Sequence, residues 1–413
     1  MIQPPVVLNT VAPQGPWQPC AARDEIKPRF RVDRRVHHGG DSSLAITCDT
    51  PIAHGWWQCS VPVQPKQWYR FEAWYRQRNV PYERQRILAR LDWQTKGGQR
   101  SAKPDYVFDT DYSGDWRRVQ MIVAAPDDAA SMNVELHLGW SPGGTVWWGD
   151  ISLTAAQPPK PRIVRLATIN HRPQGNKTGA ENVREFCALI DEAAKQKPDI
   201  ICLPEAMTVC GTGLSYVEGA EPIPGPTSET LGRKAQEHHC YLVACYDERD
   251  GHAVYNTAIL IDREGKLVGK YHKVYVPREE IEAGITPGDA YPVFGTDFGK
   301  VGLMICWDVQ WVDPAQALAA QGAEVLLLPI WGGSETLMKA RALENAVWLV
   351  TSGYDAKTWI INPKGEVIAE GTSETPIAVA EVNLDYDRRA SEEWLGNMRA
   401  RFLKERRTDV ERK

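Results

Sequence analysis

The stretch GKVGLMICWD, residues 299–308, runs as an apolar strand that ends at Cys306. Its residues are too apolar to lie on a surface, so Cys306 sits where a buried strand meets a loop. A thiol placed there is rigid behind and open in front. Trp307 and Asp308 follow, then a helix entered near Pro314, with Asp313 as its cap. Backbone N–H groups just after the cysteine, beginning with Trp307, are placed to bind a developing oxyanion. The plainer alternative is a buried, inert thiol, because free cysteine is among the most buried residues. Cys202, Cys240 and Cys245 take that plainer reading.

Two neighbouring runs change the balance for Cys306. PDIICLPEA (198–206) ends in Leu203-Pro204-Glu205, and an acid straight after an apolar run is costly unless it faces a polar site. KYHKVYVP (270–277) carries Lys273 inside a strand-like stretch. A buried carboxylate, ammonium and thiol, each at a strand end, form a working set. Glu205 takes the thiol proton as general base and returns it to a leaving amine. Lys273 stabilises the tetrahedral oxyanion. The competing reading is a buried Glu–Lys ion pair beside an unrelated cysteine, and these residues alone leave both standing.

Around them the pattern alternates between helix and strand. IVRLATI (163–169) reads as a buried strand, ENVREFCALIDEAAKQ (181–196) as a helix with an apolar stripe, and CYLVACYD (240–247) as a strand preceded by a helix over 227–239. Two hairpins look alike, NTAILIDREGKLVGKYHK (256–273) and TWIINPKGEVIAEG (358–371). So do KQKPDIICLPEA and AAQGAEVLLLPIW. This duplication predicts one half built twice, with helices covering one face of each sheet.

LPEA with Glu205, KYHKVYVP with Lys273 and TPGDAYPVFGTDFGKVGLMICWD (286–308) resemble the nitrilase superfamily of carbon–nitrogen hydrolases. GAEVLLLP (322–329) and RALENAVWLVTSG (341–353) extend the resemblance over roughly residues 160–385. It implies a four-layer α-β-β-α sandwich, a Glu–Lys–Cys catalytic set in this chain order, and association into a homo-oligomer, dimer or higher. A second supporting glutamate is implied just after the lysine strand. VPREEIEAGITPG offers Glu279, Glu280 and Glu282, and the Pro-x-x-Glu spacing selects Glu280. Trp331 falls where the family lines its substrate pocket; plain core is the alternative. Relatives that cleave N-carbamoyl amino acids carry arginine or histidine soon after the cysteine. Here Asp308-Val309-Gln310-Trp311 stands instead, which favours a neutral or partly apolar substrate.

The first part has another rhythm. SSLAITC (42–48), WYRFEAWYRQ (68–77), RILARLDWQ (86–94), WRRVQMIVAA (116–125), MNVELHLGW (132–140) and TVWWGDISLT (145–154) alternate apolar and polar residues, as an antiparallel β-sandwich does. HGGDSSLAI (38–46), WYRFEAWYR, GDWRRVQMIVAAP (114–126) and VWWGDISLT resemble carbohydrate-binding jelly rolls of the galactose-binding type. Ten of sixteen tryptophans lie before residue 150. Exposed ones would stack on sugar rings, giving a carbohydrate ligand; buried ones would fill the core. The proline-rich run 155–161 marks a boundary. The expected domains are 1–157, folding alone as a sandwich, and 158–413, carrying the hydrolase.

Composition excludes other classes. With 413 residues, 43% hydrophobic and 24% charged, the chain exceeds one ordinary core. A net charge of −5 and no basic run give no footprint for nucleic acid. No stretch of 18 apolar residues offers a membrane span, and no export signal opens the chain, so a cytoplasmic protein is expected. Nine cysteines without a C-x-x-C pair, and nine histidines without H-E-x-x-H, point to neither disulfides nor a metal. The expected function is therefore cofactor-free hydrolysis of a non-peptide C–N bond in a small amide or nitrile, through a cysteine thioester. The alternatives are N-carbamoyl hydrolysis, or a non-catalytic carbohydrate-binding or scaffolding protein.

Overall fold

The structure, a computed structural model, describes residues 17–355, 357–385, 396–407 and 410. These divide into two compact units, one holding 17–160 together with 396–410 and the other 161–385. The segment after 396 therefore belongs with the first unit, not with the hydrolase part where the sequence reading put it. The reason is local packing. The helix Met398–Glu405 lies against the first unit, where the Tyr106 hydroxyl donates to Glu405 at 2.7 Å, Gln85 donates to the Arg406 carbonyl, and Lys404 is buried. No helix among the described residues is long and apolar enough to cross a membrane.

The first unit consists of two antiparallel sheets. One orders Gln18–Cys20, His54–Pro62, Ala129–Gly139, Ile87–Thr95 and Asp105–Tyr106. The other orders Arg29–Asp33, Ser43–Thr47, Thr145–Ala156, Trp68–Arg78, Trp116–Ala124 and Phe108–Ser113. Strand alternation sends Trp57, Leu91, Trp93, Leu136, Phe71 and Trp148 into one shared core. Among the described residues two short helical turns, Asp24–Ile26 and Glu83–Arg86, interrupt the strands.

The second unit repeats one pattern twice. Its first sheet orders Ile377–Asn383, Ile163–Ile169, Ile200–Cys202, Tyr241–Asp250, Ala253–Ile261 and Leu267–His272. Its second orders Val293–Gly295, Lys300–Leu303, Val325–Ile330, Trp348–Gly353, Thr358–Ile361 and Val367–Gly371. In each, the successive pairings run antiparallel, parallel, parallel, antiparallel, antiparallel. Parallel neighbours need crossovers, and helices supply them. Gly179–Ala194 and Pro226–His238 serve the first sheet, Asp313–Ala320 and Glu335–Asn345 the second.

The alternation of side chains builds the layers. Ala167, Ile169, Ile201 and Leu242 face the helix residues Phe186, Ile190 and Leu231. On the opposite face, Leu166, Cys202 and Val243 join Val301, Leu303 and Leu327 of the second sheet in one core. Thr178 and Glu181 form a capping box that starts the Gly179–Ala194 helix. At the other crossover, Asp313 is not the cap. It lies inside the helix Asp313–Ala320, whose cap Val312 makes no side-chain bond, and it accepts from the Tyr275 hydroxyl at 3.1 Å.

Candidate active site

The parallel strands end together, and the polar residues gather beyond those ends. The strand Ile200–Cys202 runs out through Leu203-Pro204 to Glu205. The strand Lys300–Leu303 stops three residues short of the cysteine, and a 3-10 turn, Cys306–Gln310, begins there. Cys306 holds a left-handed backbone, φ 41°, which is strained for a side-chain-bearing residue. The hairpin strand Leu267–His272 ends one residue before Lys273, which is fully buried.

Lys273 is the hub. Its Nζ donates to Glu205 Oε1 at 2.9 Å and to both Glu280 oxygens at 2.8 and 2.9 Å. The short helix Arg278–Glu282 turns Glu280 inward and leaves Glu279 and Glu282 exposed. Glu205 is further fixed by Asn256 Nδ2 at 2.8 Å and by the Trp331 backbone N–H at 2.9 Å. The Cys306 thiol donates to the Gly332 carbonyl at 3.8 Å. Glu205, Lys273 and Cys306, all buried, and the half-buried Glu280 thus meet in one cluster although they span 101 positions (205 to 306).

The charges in the cluster answer one another. Burial pushes the Lys273 ammonium down, but Glu205, Cys306 and Glu280 together hold its pKa well above the ordinary lysine value. Burial, then the neighbouring Glu205 charge, pushes the Cys306 thiol up, and Lys273 only partly offsets this. The resting group is therefore a thiol, and it needs a proton acceptor before it can attack. Burial also raises Glu280, with Lys273 opposing and Glu205 reinforcing. A carboxylate, an ammonium and a thiol so arranged can move a proton from sulfur and stabilise negative charge on a bound substrate.

The two tryptophans differ. Trp307 is 40% exposed. Trp331 supports Glu205 through its backbone, while its ring meets Tyr354 edge-on at 5.0 Å and lies 5.1 Å from the Arg172 guanidinium. Arg172, in turn, pairs with Asp355 at 2.6 Å. The sequence showed no cation directly after the cysteine. The fold brings this arginine to Trp331 from the loop after Ile163–Ile169, which no local motif announces.

Three other buried polar residues escaped the sequence reading. Asn256 holds Glu205, and the Cys245 thiol donates to Asn256 Oδ1 at 3.2 Å. Asp308 is fully buried and accepts from the Ile305 N–H (2.8 Å), the Tyr271 hydroxyl (2.8 Å) and the Tyr275 N–H (3.0 Å), tying the cysteine turn to the lysine strand. Asp247, the cross-strand partner of Asn256, is fully buried with no hydrogen-bond partner on either oxygen among the described residues. Burial, with Glu205 and Glu280 adding to it, raises its carboxyl well above the usual range, and Lys273 opposes this. Asp191, Glu237 and His238 lie within 4.8 Å of one another on the surface. The Lys234 ammonium already bridges Asp191 and Glu237, at 2.7 and 2.9 Å, so this cluster is a paired ion network.

Comparison with known proteins matches residues 165–391 to the carbon-nitrogen hydrolase family. The chain is 33% identical over 236 residues to the omega-amidase NIT2 of Xenopus tropicalis, covering 50% of this chain and 84% of the relative. To the omega-amidase NIT2 of Homo sapiens it is 31% identical over 246 residues, covering 53% of this chain and 88% of the relative. Among solved structures it is similar to Saccharomyces cerevisiae Nit3, a member of branch 10 of the nitrilase superfamily. That likeness has a TM-score of 0.50 at 22% identity and covers 55% of this chain and 94% of the other. The family match spans the second unit's sheets and all four clustered residues, and the chain belongs to the carbon-nitrogen hydrolase family.

Proposed function

We propose that this enzyme hydrolyses the amide bond of a small molecule through a thioester on Cys306. The observation that carries the reading is the buried bridge Glu205–Lys273–Glu280, set beside a cysteine that burial keeps protonated. Glu205 accepts the thiol proton, and the thiolate attacks the carbonyl carbon. The oxyanion that forms is stabilised by the Lys273 ammonium and the Trp307 N–H. As the tetrahedral intermediate collapses, the C–N bond breaks and Glu205 returns its proton to the leaving nitrogen. Water, deprotonated by Glu205, then cleaves the thioester to release a carboxylic acid and restore the thiol. Glu280 holds Lys273 in place, and the Trp331 ring walls the substrate site. The similar proteins are named omega-amidases, which supports an amide over a nitrile or a carbamoyl substrate.

The first unit, on this proposal, is a jelly-roll module that binds saccharide and leaves the chemistry to the second. Cys306→Ala and Cys306→Ser test the mechanism over a panel of small amides, nitriles and carbamoyl compounds. Both variants should melt like the parent protein and lose all amide turnover. A well-folded Cys306→Ala protein with undiminished activity would sink the mechanism.

A further inference from the structure

The base and the nucleophile share one backbone anchor. Trp331 and Gly332 follow the strand Val325–Ile330 and serve both groups. The Trp331 N–H donates to Glu205 Oε2 at 2.9 Å, and the Gly332 carbonyl accepts from the Cys306 thiol at 3.8 Å. Lys273 and Asn256 both meet Glu205 Oε1, at 2.9 and 2.8 Å. The bonds on Oε1 fix where the carboxylate lies, and the bond on Oε2 fixes how it is turned. Ile330 with Gly353 is the last register pair of these two strands, so the ladder stops short of Trp331.

A clamp on its ring takes over. The indole meets Tyr354 edge-on at 5.0 Å, and the Arg172 guanidinium lies 5.1 Å from the Trp331 ring and 5.3 Å from the Tyr354 ring. Arg172 also pairs with Asp355 at 2.6 Å, and the Asp355 N–H donates to the Trp331 carbonyl at 2.9 Å. Arg172 belongs to the facing sheet, and the chain leading to it is fixed across the sandwich. The Thr168 hydroxyl donates to the Thr351 carbonyl at 2.6 Å, the Ser352 hydroxyl to the Ile169 carbonyl at 2.7 Å, and the Asn170 amide to the Thr358 hydroxyl at 3.0 Å. Just beyond, Pro173 is buried against Gly211, where a Cβ would meet the Pro173 carbonyl at 2.4 Å. With side chains 38% and 63% exposed, the Arg172–Asp355 pair contributes little to stability.

We infer that Arg172 is a positioning residue: it clamps the Trp331 ring so that the Trp331 N–H keeps Glu205 turned for proton transfer from Cys306. The inference rests on the proposed role of Glu205 as base for Cys306. A guanidinium is planar, and it can lie on an aromatic ring while its N–H groups hold a carboxylate, so one side chain makes both contacts. Without it the indole is free to swing, the N–H shifts, and the carboxylate turns about its Oε1 bonds. A small misplacement of a reacting group costs rate rather than stability.

The test compares Arg172→Met and Arg172→Lys with the parent protein, on the panel amide that the parent cleaves fastest. Read on the same samples are kcat, KM, melting temperature and the rate at which iodoacetamide alkylates Cys306. Iodoacetamide is too small to need the substrate wall, so its rate reports the thiol and its base. Arg172→Met should lower kcat and the alkylation rate about tenfold each, with KM and melting temperature near the parent values. Arg172→Lys keeps the cation but not the plane, and should recover part of both losses. A raised KM with unchanged kcat and alkylation would make Arg172 a substrate contact and overturn the inference. A lowered melting temperature with parental rates overturns it too, because the role is then structural. Should Arg172→Met fold poorly, the alkylation rate of Arg172→Lys decides: a slower rate supports the clamp, and a parental rate overturns it. A parent protein that is alkylated at Cys306 but cleaves no amide counts against the hydrolase reading alone, since the alkylation rates still decide the role of Arg172.

Discussion

At the scale of single residues, the buried bridge between Lys273, Glu205 and Glu280 admits two roles, and substitution separates them. If the bridge is only structural, removing one partner leaves an uncompensated buried charge and costs about 3–5 kcal/mol of stability. If it is catalytic, Glu205→Gln keeps shape and hydrogen bonding but cannot take the thiol proton. Lys273→Met keeps length but loses the charge that meets the oxyanion. Loss of a general base costs on the order of 10²–10⁴-fold in rate, and loss of one oxyanion stabiliser about 10²–10³-fold. Both variants are expected to stay folded at room temperature with turnover reduced by these factors. Glu205→Gln should also slow alkylation of Cys306 by iodoacetamide. Folded variants with near-parental turnover would remove both residues from the mechanism. Glu205 and Cys306 were legible because each ends an apolar run, and Lys273 because a charge inside a strand-like stretch stands out. Asn256, Asp247 and Asp308 were not, because a lone Asn or Asp near a turn has many cheaper uses.

At the scale of the element, the turn Cys306–Gln310 owes its shape to Asp308. Its carboxylate takes N–H groups from both the cysteine turn and the lysine strand, so it fixes the nucleophile against its neighbours. Burial pushes this carboxyl up to about 6 from an ordinary 3.8. A folded pKa above the unfolded one means that Asp308's contribution to stability is complete below 3.8 and is lost as pH rises through about 6. Mild acid therefore protonates the clamp without unfolding the protein through this group. The expected result is a fall in kcat/KM as pH drops through about 6, with no matching fall in melting temperature. Asp308→Asn should reduce turnover about tenfold at neutral pH, since an amide offers one accepting oxygen in place of two. It should also flatten that acid limb. A limb that persists unchanged in the folded variant would assign the titration to another group. The sequence reading ran the strand to Cys306 itself. It stops at Leu303 because the left-handed turn that presents the thiol cannot continue a ladder, and apolar content alone does not register a change of backbone region.

At the scale of the whole molecule, the duplicated phrases LPEA and LPIW mark equivalent ends of the second parallel-side strand in each sheet, which is why repetition in sequence foretold repetition in pairing. The division of the chain was legible where composition changes sharply, at the prolines before Arg162, and illegible at the far end. Nothing in the pattern of Met398–Glu405 tells which unit its buried face will meet. The contacts do tell. Tyr106 holds Glu405, and Ala400 and Lys404 are buried, all within the first unit. Burying a helix face removes apolar area from water, with each methylene contributing about 0.8 kcal/mol. A chain ending after residue 386 should therefore lose stability in the sandwich, by roughly 1–3 kcal/mol, from lost burial and hydrogen bonds. The cluster of Glu205, Lys273, Cys306 and Glu280 lies wholly within the second unit, so amide turnover should survive the same truncation. Calorimetry and turnover on the truncated and full-length proteins give the answer. A sandwich transition that does not move would deny the helix its stabilising role. Loss of turnover with the second unit still folded would mean that residues beyond 386 contribute to the site.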